Sequence, residues 1–387
     1  MKHYKNLFEK IVTTENLILA YQKASRGKQH YTAVKKVNEN LPYHIKLLQD
    51  MLKNKTYTIQ PEDYKYEVIN DKGKERDLYK LNFFPHRIIQ WATINILQDK
   101  IIKSLTKNTY ASLPNRGIHK LKKNLERTLK DEENTKYCLK IDIKKFYPNI
   151  DNDILFSMLD KKFHRDKDLM WLLKTIIFSR GHKGQPIGSL ASQYFANFYL
   201  SEMTHYMKEH HHMKYMFLYM DDIVFLHKDK KYLHKLKLFL DNYFEKNLKL
   251  KIKENWQVFP VDDRGVDYVG YRFFRKYTIL RKSIYKNARK SFENNSKNKM
   301  SYYGWCKYAN VGNFVSRYNL DKKSIEEIKL INYKIKMMNK YNSLLKNVDV
   351  KILKNRPFYN LSELREKHIL GFYSYKKAKK LLKIGGE

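Results

Sequence analysis

The chain predicts an α+β fold: a sheet with helices on one face and an open cleft on the other. Three observations predict it. Gly and Pro are scarce, 13 and 8 of 387 residues, so regular elements outweigh loops. Strand-length segments that alternate apolar and polar residues are spaced by stretches with helical period. Their order is strand, two helices, hairpin, helix, strand, which builds a layered core with one sheet face left open.

Taken in order, Asn6 to Ser25 and Leu41 to Lys53 read as amphipathic helices. Tyr64 to Ile69 and Arg76 to Leu81 flank Asp71-Lys72-Gly73-Lys74 and read as a hairpin with a basic turn. Pro85 to Lys103 reads as a helix burying Ile88, Ile89, Ala92, Ile96 and Leu97. In Tyr137 to Ile143, Leu139, Ile141 and Ile143 point one way, and Cys138, Lys140 and Asp142 the other. Asp151 to Lys162 and Asp166 to Ile176 read as helices, Gly181 to Gly188 as a loop, and Ser189 to Leu200 as a helix rich in small residues. Tyr215 to Leu226 reads as a hairpin, Lys231 to Asn247 as an amphipathic helix, and Val266 to Phe274 with Tyr277 to Arg281 as a strand pair. From Ser283 the pattern is helical and Lys-rich, with a break at Asn355-Arg356-Pro357.

The net charge is +38, from 78 Lys and Arg against 40 Asp and Glu. Interspersed aromatic residues, 14 % of the chain, separate this from a disordered basic tail. A charge of this size points to a polyanionic partner, most simply nucleic acid, and the rings suit base stacking. Cys138 and Cys306 are the two cysteines, which excludes a disulfide framework and a thiolate zinc site and fits a reducing compartment. Met1 to Lys10 is charged and has no long apolar core. No stretch approaches the roughly 18 apolar residues of a membrane span, so the reading is a cytoplasmic protein with no membrane partner. His210-His211-His212 is read as a solvated loop, because adjacent residues do not share one face of a helix or strand.

The chemistry is concentrated in acids. Asp221 and Asp222 lie at the tip of a hairpin flanked by Phe217-Leu218-Tyr219-Met220 and Ile223-Val224-Phe225-Leu226. Asp is common in turns, but a buried apolar hairpin has no structural use for two adjacent charges, because unpaired buried charge is costly. Asp142 adds a third carboxylate at a strand end. Two acids at a tip and one at a strand end suit a pair of Mg²⁺ ions about 4 Å apart, the arrangement that serves nucleotidyl transfer. Asp142 and Asp221 would bridge the ions, Asp222 would add field or a weaker contact, and the Ile143 carbonyl would be a further ligand. Mn²⁺ could substitute. Tyr147, five residues after Asp142, would lie under the sugar of an incoming nucleotide and clash with a 2′-hydroxyl, so it is the candidate gate for deoxynucleotides. Core packing is the competing reading of that ring.

Three motifs, Asp142-Ile143-Lys144-Lys145-Phe146-Tyr147-Pro148-Asn149-Ile150, Gln185-Pro186-Ile187-Gly188-Ser189-Leu190-Ala191-Ser192-Gln193 and Tyr219-Met220-Asp221-Asp222, resemble the ordered motif set of reverse transcriptases. Within that family the chain is similar to the enzymes of diversity-generating retroelements. The likeness lies in Ile187-Gly188 through Ser192-Gln193, in Gln193-Tyr194-Phe195-Ala196-Asn197-Phe198-Tyr199, and in Trp256-Gln257-Val258-Phe259-Pro260-Val261 running into Val269-Gly270-Tyr271-Arg272. It extends to Leu280-Arg281-Lys282-Ser283 and Tyr303-Gly304-Trp305, and covers roughly residues 5–320.

The resemblance implies a right-hand polymerase fold with fingers and palm over residues 1–275 and a helical thumb over 276–325. Residues 326–387 would be a Lys-rich helical extension. It implies that Asp142, Asp221 and Asp222 are catalytic, and that Ile187 and Gly188 line the nascent base pair with Gln193 nearby. Small residues at Gly188, Ser189, Ala191 and Ser192 would let that pair approach the helix closely. Lys72, Lys74 and Arg76 match the segment that grips the triphosphate in similar enzymes; a solvated basic turn is the competing reading. Lys251 or Lys253 would be the acid toward pyrophosphate. Arg87, Arg116, Arg281, Lys282 and Trp305 are the nucleic-acid contacts it suggests. The partners implied are a structured template or noncoding RNA, the RNA–DNA hybrid, dNTPs and a small basic accessory protein, in a bacterial or phage-encoded enzyme. His86 departs from the pattern, since relatives usually carry Asp before Arg87, which would alter how that helix is anchored. Beyond about Asp321 nothing resembles the family. Defence-associated bacterial reverse transcriptases share the palm motifs and often carry extra helical segments, so anti-phage cDNA synthesis is the second biological reading. A non-catalytic RNA-binding relic would not retain the acids, and RNA-dependent RNA polymerases usually carry Gly before the acid pair.

Overall fold

The computed structural model describes residues 4–71, 74–294 and 298–318. Lys72 and the expected C-terminal extension lie outside the described residues. The chain divides into two compact units between Arg281 and Lys282.

The first unit contains three antiparallel sheets. β1 (Tyr64–Asp71) and β2 (Lys74–Leu81) form a two-stranded ribbon. β3 (Tyr137–Asp142), β4 (Tyr215–Tyr219), β5 (Asp222–His227) and β6 (Gln257–Pro260) form a four-stranded sheet in the order β4-β5-β3-β6. β7 (Val266–Tyr268), β8 (Tyr271–Phe273) and β9 (Thr278–Leu280) form a meander. The expected strand Val266 to Phe274 is thus two strands. Val269 and Gly270 between them both take positive φ, 43° and 89°, as a tight two-residue hairpin turn requires. β6 carries little strand signal of its own: it is four residues long and ends in Pro260, tolerated because β6 is an edge strand.

The four-stranded sheet keeps the alternation of β3. Leu139 and Ile141, with Ile223, Phe225, Met216 and Leu218, face a helical layer that includes Lys230–Leu248, and all are buried. Each such side chain contributes roughly 1.5–3 kcal/mol relative to exposure. Cys138, Lys140 and Asp142 therefore lie on the opposite face, and a slip of one residue would drive Asp142 into the apolar layer.

The helices begin where short polar side chains cap them. Asp151, Asp166 and Ser189 accept N–H groups of the first turns of Asn152–Phe163, Lys167–Ile177 and Leu190–Tyr199. The single helix expected over Asn6 to Ser25 is two, Leu7–Ile11 and Thr14–Ser25, because Thr13 caps the second and Asn16 Nδ2 donates to the Ile11 carbonyl at the break. Pro85 and Arg87 lie in the segment Phe83–Arg87, kinked by the extended backbone of Phe84, that precedes the long helix Ile88–Ser104. Thr32–Glu39 and Ile118–Thr128 are further helices that the sequence reading does not resolve.

The described part of the second unit holds helices Lys282–Glu293, Lys299–Cys306 and Gly312–Arg317. Tyr285, Phe292, Phe314 and Tyr318 pack ring against ring there.

Candidate active site

Asp142 ends β3 and Asp222 begins β5, and the two are register partners across the sheet. Tyr219 and Asp222 close the β4–β5 hairpin, leaving Met220 and Asp221 as its two-residue tip. Met220 takes φ 54°, and the Asp221 carbonyl accepts the Ile143 N–H at 3.1 Å, which ties the tip to the end of β3. On the other side the Lys253 N–H donates to the Asp142 carbonyl at 2.8 Å. Three acids from two distant stretches of chain are thereby held by backbone pairing rather than by side-chain contacts.

Each strand acid has a lysine. Lys253 Nζ pairs with Asp142 Oδ1, and Lys140 Nζ lies 3.5 Å from Asp222 Oδ2. Lys140 also donates to the Asp267 carbonyl at 2.7 Å and sits over the Tyr268 ring. Asp222 Oδ1 is buried without a hydrogen bond, and Asp142 Oδ1 is buried with the Lys253 ion pair as its partner. Burial pushes the Asp222 carboxyl up to about 6; Lys140 opposes the rise, and Asp142 and Asp221 add to it. Asp221 is likewise raised, first by burial and then by the charge of Asp142, against the opposing charges of Lys253 and Arg76.

The buried oxygens of Asp142 and Asp222 beside a third acid form a donor set suited to hard divalent cations. Among the described residues no three His, Cys, Asp or Glu side chains already close around a common point.

The tip faces Tyr147. Its hydroxyl points at Met220 Sδ, 3.7 Å away, and burial, then the charge of Asp221, holds its acidity well below that of a free phenol. The Gln185 N–H donates to the Tyr147 carbonyl, so the loop before Leu190–Tyr199 runs past the same residue. The Ile187 carbonyl accepts the Tyr79 N–H at 2.9 Å, docking that loop on β2. Gly188 has φ 106°, and a Cβ there would lie 3.1 Å from both Tyr79 O and Leu78 Cδ1.

A family profile described as reverse transcriptase (RNA-dependent DNA polymerase) matches residues 69–273, from within β1 to the end of β8. The chain belongs to the reverse transcriptase family. No curated protein matches it. Solved structures that resemble this reverse transcriptase include the telomerase of Candida tropicalis with a TWJ fragment of telomeric RNA, at 13 % identity and TM-score 0.44, covering 64 % of this chain and 52 % of that one. The telomerase of Candida albicans with a TWJ fragment gives 11 % identity and TM-score 0.43, covering 65 % and 55 %. The reverse transcriptase thus spans about half the length of those chains.

The remaining residues singled out in the sequence fall in different places. Arg76 lies close enough to Asp221 for its charge to act on that carboxyl, and Lys74 begins β2. Gln193 is half-buried on Leu190–Tyr199, and its carbonyl accepts from Asn197 Nδ2. Ser189, Ala191 and Ser192 are buried, with Ser189 bonded to Gln90 and Ser192 to Gln185. They pack the helix into the core, and of that set Gly188 is exposed. Arg87 is half-buried with Nε lacking a hydrogen bond, and burial lowers its pKa. The His86 departure is accommodated by a different anchor: its Nε2 lies 3.2 Å from Asp63 and its Nδ1 3.2 Å from the Tyr57 hydroxyl.

Arg116 Nη1 donates to the Thr106 and Thr109 carbonyls, so part of its guanidinium shapes a loop, while the residue lines a cleft with Lys107, Lys120, Arg127 and Lys214. Arg281 is paired with Asp267 at 2.6 Å beside a cleft of about 400 Å³ that includes Lys140 and Asp142. Lys282 and Trp305 belong to the second unit. The His211 ring lies tilted against those of Phe239 and Tyr206. Of the two lysines considered, Lys253 reaches the acids and Lys251 lies exposed near Glu245.

Two residues were missed. Lys140 shares the face of Asp142 by simple alternation, a signal present in the sequence. Tyr268, fully buried, donates its hydroxyl to the Phe217 and Asp222 carbonyls at 3.0 and 2.7 Å, and nothing in its local sequence announces that role.

Proposed function

We propose that this chain copies a dedicated noncoding or template RNA into cDNA by two-metal nucleotidyl transfer, with Asp142, Asp221 and Asp222 as the metal-holding acids. The observation that carries the reading is the register pairing of Asp142 with Asp222, with Asp221 tied to Ile143. When bound, two Mg²⁺ ions would supply charge stabilisation for the attacking and leaving oxygens. Asp142 and Asp221 would hold both ions and Asp222 the field around them. Lys253 and Lys140 offset the carboxylate charge while the site waits, which keeps three close acids in one place. Arg76, with Lys74 and Lys72, would grip the triphosphate. Tyr147 would exclude the 2′-hydroxyl, and Ile187 and Gly188 would cover the nascent pair. Lys253 would donate a proton to the leaving oxygen of pyrophosphate as the phosphoanhydride bond breaks.

The domains follow the same reading: fingers and palm to about residue 275, a thumb to 325, and an RNA-binding extension beyond. The biological role proposed is mutagenic copying of the retroelement type, supported by Ile187, which cannot hydrogen-bond a nucleotide and leaves discrimination to shape. Anti-phage cDNA synthesis is the second reading, favoured by the Lys-rich segment with Ile325, Ile328, Ile331 and Ile335. Primer extension on RNA with Mg²⁺ and dNTPs or rNTPs, wild type against Asp221→Ala/Asp222→Ala, tests the activity. Errors concentrated at template adenines, the bias that the resemblance to diversity-generating retroelement enzymes implies, support diversification, and faithful copies support defence. No DNA synthesis by the wild type in the presence of its cellular RNA would overturn the proposal.

A further inference from the structure

Strand β7 meets the Asp221-Asp222 hairpin at two successive residues. Tyr268, fully buried, donates its hydroxyl to the Asp222 carbonyl at 2.7 Å and to the Phe217 carbonyl at 3.0 Å. One phenol proton is shared between the two carbonyls, so the hydroxyl ties β4 to the first residue of β5. The residue before it, Asp267, accepts the Lys140 ammonium on its backbone carbonyl at 2.7 Å. The Asp267 side chain is itself held, because Arg281 Nε donates to its Oδ1 at 2.6 Å. The Arg281 N–H donates to the Gly270 carbonyl at 3.0 Å. β7 is thus pinned within its own meander at the point where it touches the acids.

Lys140 carries that fixed point to Asp222. Its Nζ lies 3.5 Å from Asp222 Oδ2 and 5.8 Å from the centroid of the Tyr268 ring. The two oxygens of a carboxylate point apart, so a group that holds Oδ2 also sets the direction of Oδ1. Oδ1 is the oxygen of Asp222 that is buried without a hydrogen bond. Asp222 is therefore gripped at both ends from neighbouring residues of one strand, its carbonyl by Tyr268 and its carboxylate through Lys140. An ammonium that only offset charge could sit between both oxygens; this one is drawn to one side by the Asp267 carbonyl.

We propose that Lys140 is a positioning residue for the metal site. Hung from the Asp267 carbonyl, it holds Asp222 Oδ2 and leaves Oδ1 as the one oxygen that Asp222 offers to a divalent ion. Tyr268 fixes the backbone from which that side chain springs. Partners of this kind, one step out from the ion, orient the carboxylates that bind it. The role rests on the acids holding metal, as in the proposed function. It places the orientation of Asp222 under the control of β7, a strand outside the sheet that carries the acids. A plain counter-ion is the competing role, and the two have opposite signs. A nearby ammonium repels a divalent cation, so removing a counter-ion tightens metal binding. Removing a positioning group loosens it.

The test is Mn²⁺ binding to the full chain without nucleic acid or nucleotide, read from the paramagnetic resonance of the free ion. Lys140→Met is expected to weaken binding roughly 10- to 100-fold, the range for outer partners of metal ligands. Lys140→Arg keeps the charge but replaces the compact ammonium by a planar fork, and should weaken binding too. Tyr268→Phe removes one hydroxyl and should act in the same direction. Should Lys140→Met fail to fold, the sign of the other two effects decides. In the Asp222→Asn background, Lys140→Met should change binding by less than about 2-fold, because it acts through Asp222. Wild-type or tighter binding in Lys140→Met or Lys140→Arg, or an undiminished loss in the Asp222→Asn background, would overturn the proposal. Asp142→Asn separates it from the reading beneath it. If Asp142→Asn abolishes binding and Lys140→Met does not weaken it, the positioning role alone fails. If the wild type binds no Mn²⁺, or Asp142→Asn binds it equally well, the acids do not hold the ion and both fail.

Discussion

Asp142 and Asp222 stand opposite each other on β3 and β5, and each keeps one buried oxygen and has a lysine beside its carboxylate. The pair is costly to the apoprotein and useful to a cation, and the predictions follow from that tension.

Asp222 should destabilise the metal-free protein near neutral pH. Its carboxyl is held up to about 6 by burial, so the folded chain keeps a proton that the unfolded chain gives up near pH 4. Stability then falls as pH rises from about 4 to 6 and is level above that. Asp222→Asn should gain about 1–3 kcal/mol at pH 7 without divalent ions, and almost nothing at pH 4. Urea unfolding at both pH values checks this; a variant no more stable than wild type at pH 7 contradicts it.

Divalent ions should reverse that penalty. Mg²⁺ or Mn²⁺ is expected to raise the wild-type melting temperature in proportion to the logarithm of its concentration above Kd. Asp142→Asn and Asp221→Asn should lose the rise and lower DNA synthesis by on the order of 10³-fold, several kcal/mol of transition-state stabilisation. Calorimetric melting with and without ion reads the first effect, and single-turnover extension reads the second. An unchanged ion response in both variants would place the metal elsewhere.

Tyr147 should govern sugar selection. It sits against the hairpin tip, its hydroxyl turned to Met220. Tyr147→Val is expected to raise ribonucleotide use relative to deoxynucleotide use about 10- to 100-fold, the scale of a steric discrimination in a pocket. Competitive incorporation of rATP against dATP measures it. An unchanged ratio would return the ring to a packing role.

Gly188 should tolerate no side chain. At φ 106°, with Tyr79 O and Leu78 Cδ1 each 3.1 Å from a Cβ, Ala is strained in its backbone and its neighbours on β2 must give by a few tenths of an ångström. Gly188→Ala is expected to cost about 1–3 kcal/mol and to weaken dNTP binding more than RNA binding. Unfolding and pre-steady-state dNTP titration test it; equal loss for both ligands would make the loop structural only.

Much of the fold was legible because alternation is a local property. The buried face of β3, the open face with Lys140 and Asp142, and the apolar flanks of the Asp221-Asp222 tip all follow from side chains two residues apart. Helix starts at Asn152, Lys167 and Leu190 are local in the same way, each set by a capping residue one position before it. The break at Thr13 and the split of β7 from β8 were harder, since each hangs on one capping contact or one pair of positive-φ residues.

By itself the sequence determined an α+β chain with a basic surface, three acids on sheet ends and a reverse transcriptase motif order. What only the tertiary structure decided is which residues meet. Lys253 reaches Asp142, Tyr268 braces the hairpin from below, Ser189, Ala191 and Ser192 turn inward, and Lys140 links the Asp267 carbonyl to Asp222. These contacts join segments tens to more than a hundred residues apart. Their energies depend on burial and orientation, which no local period encodes.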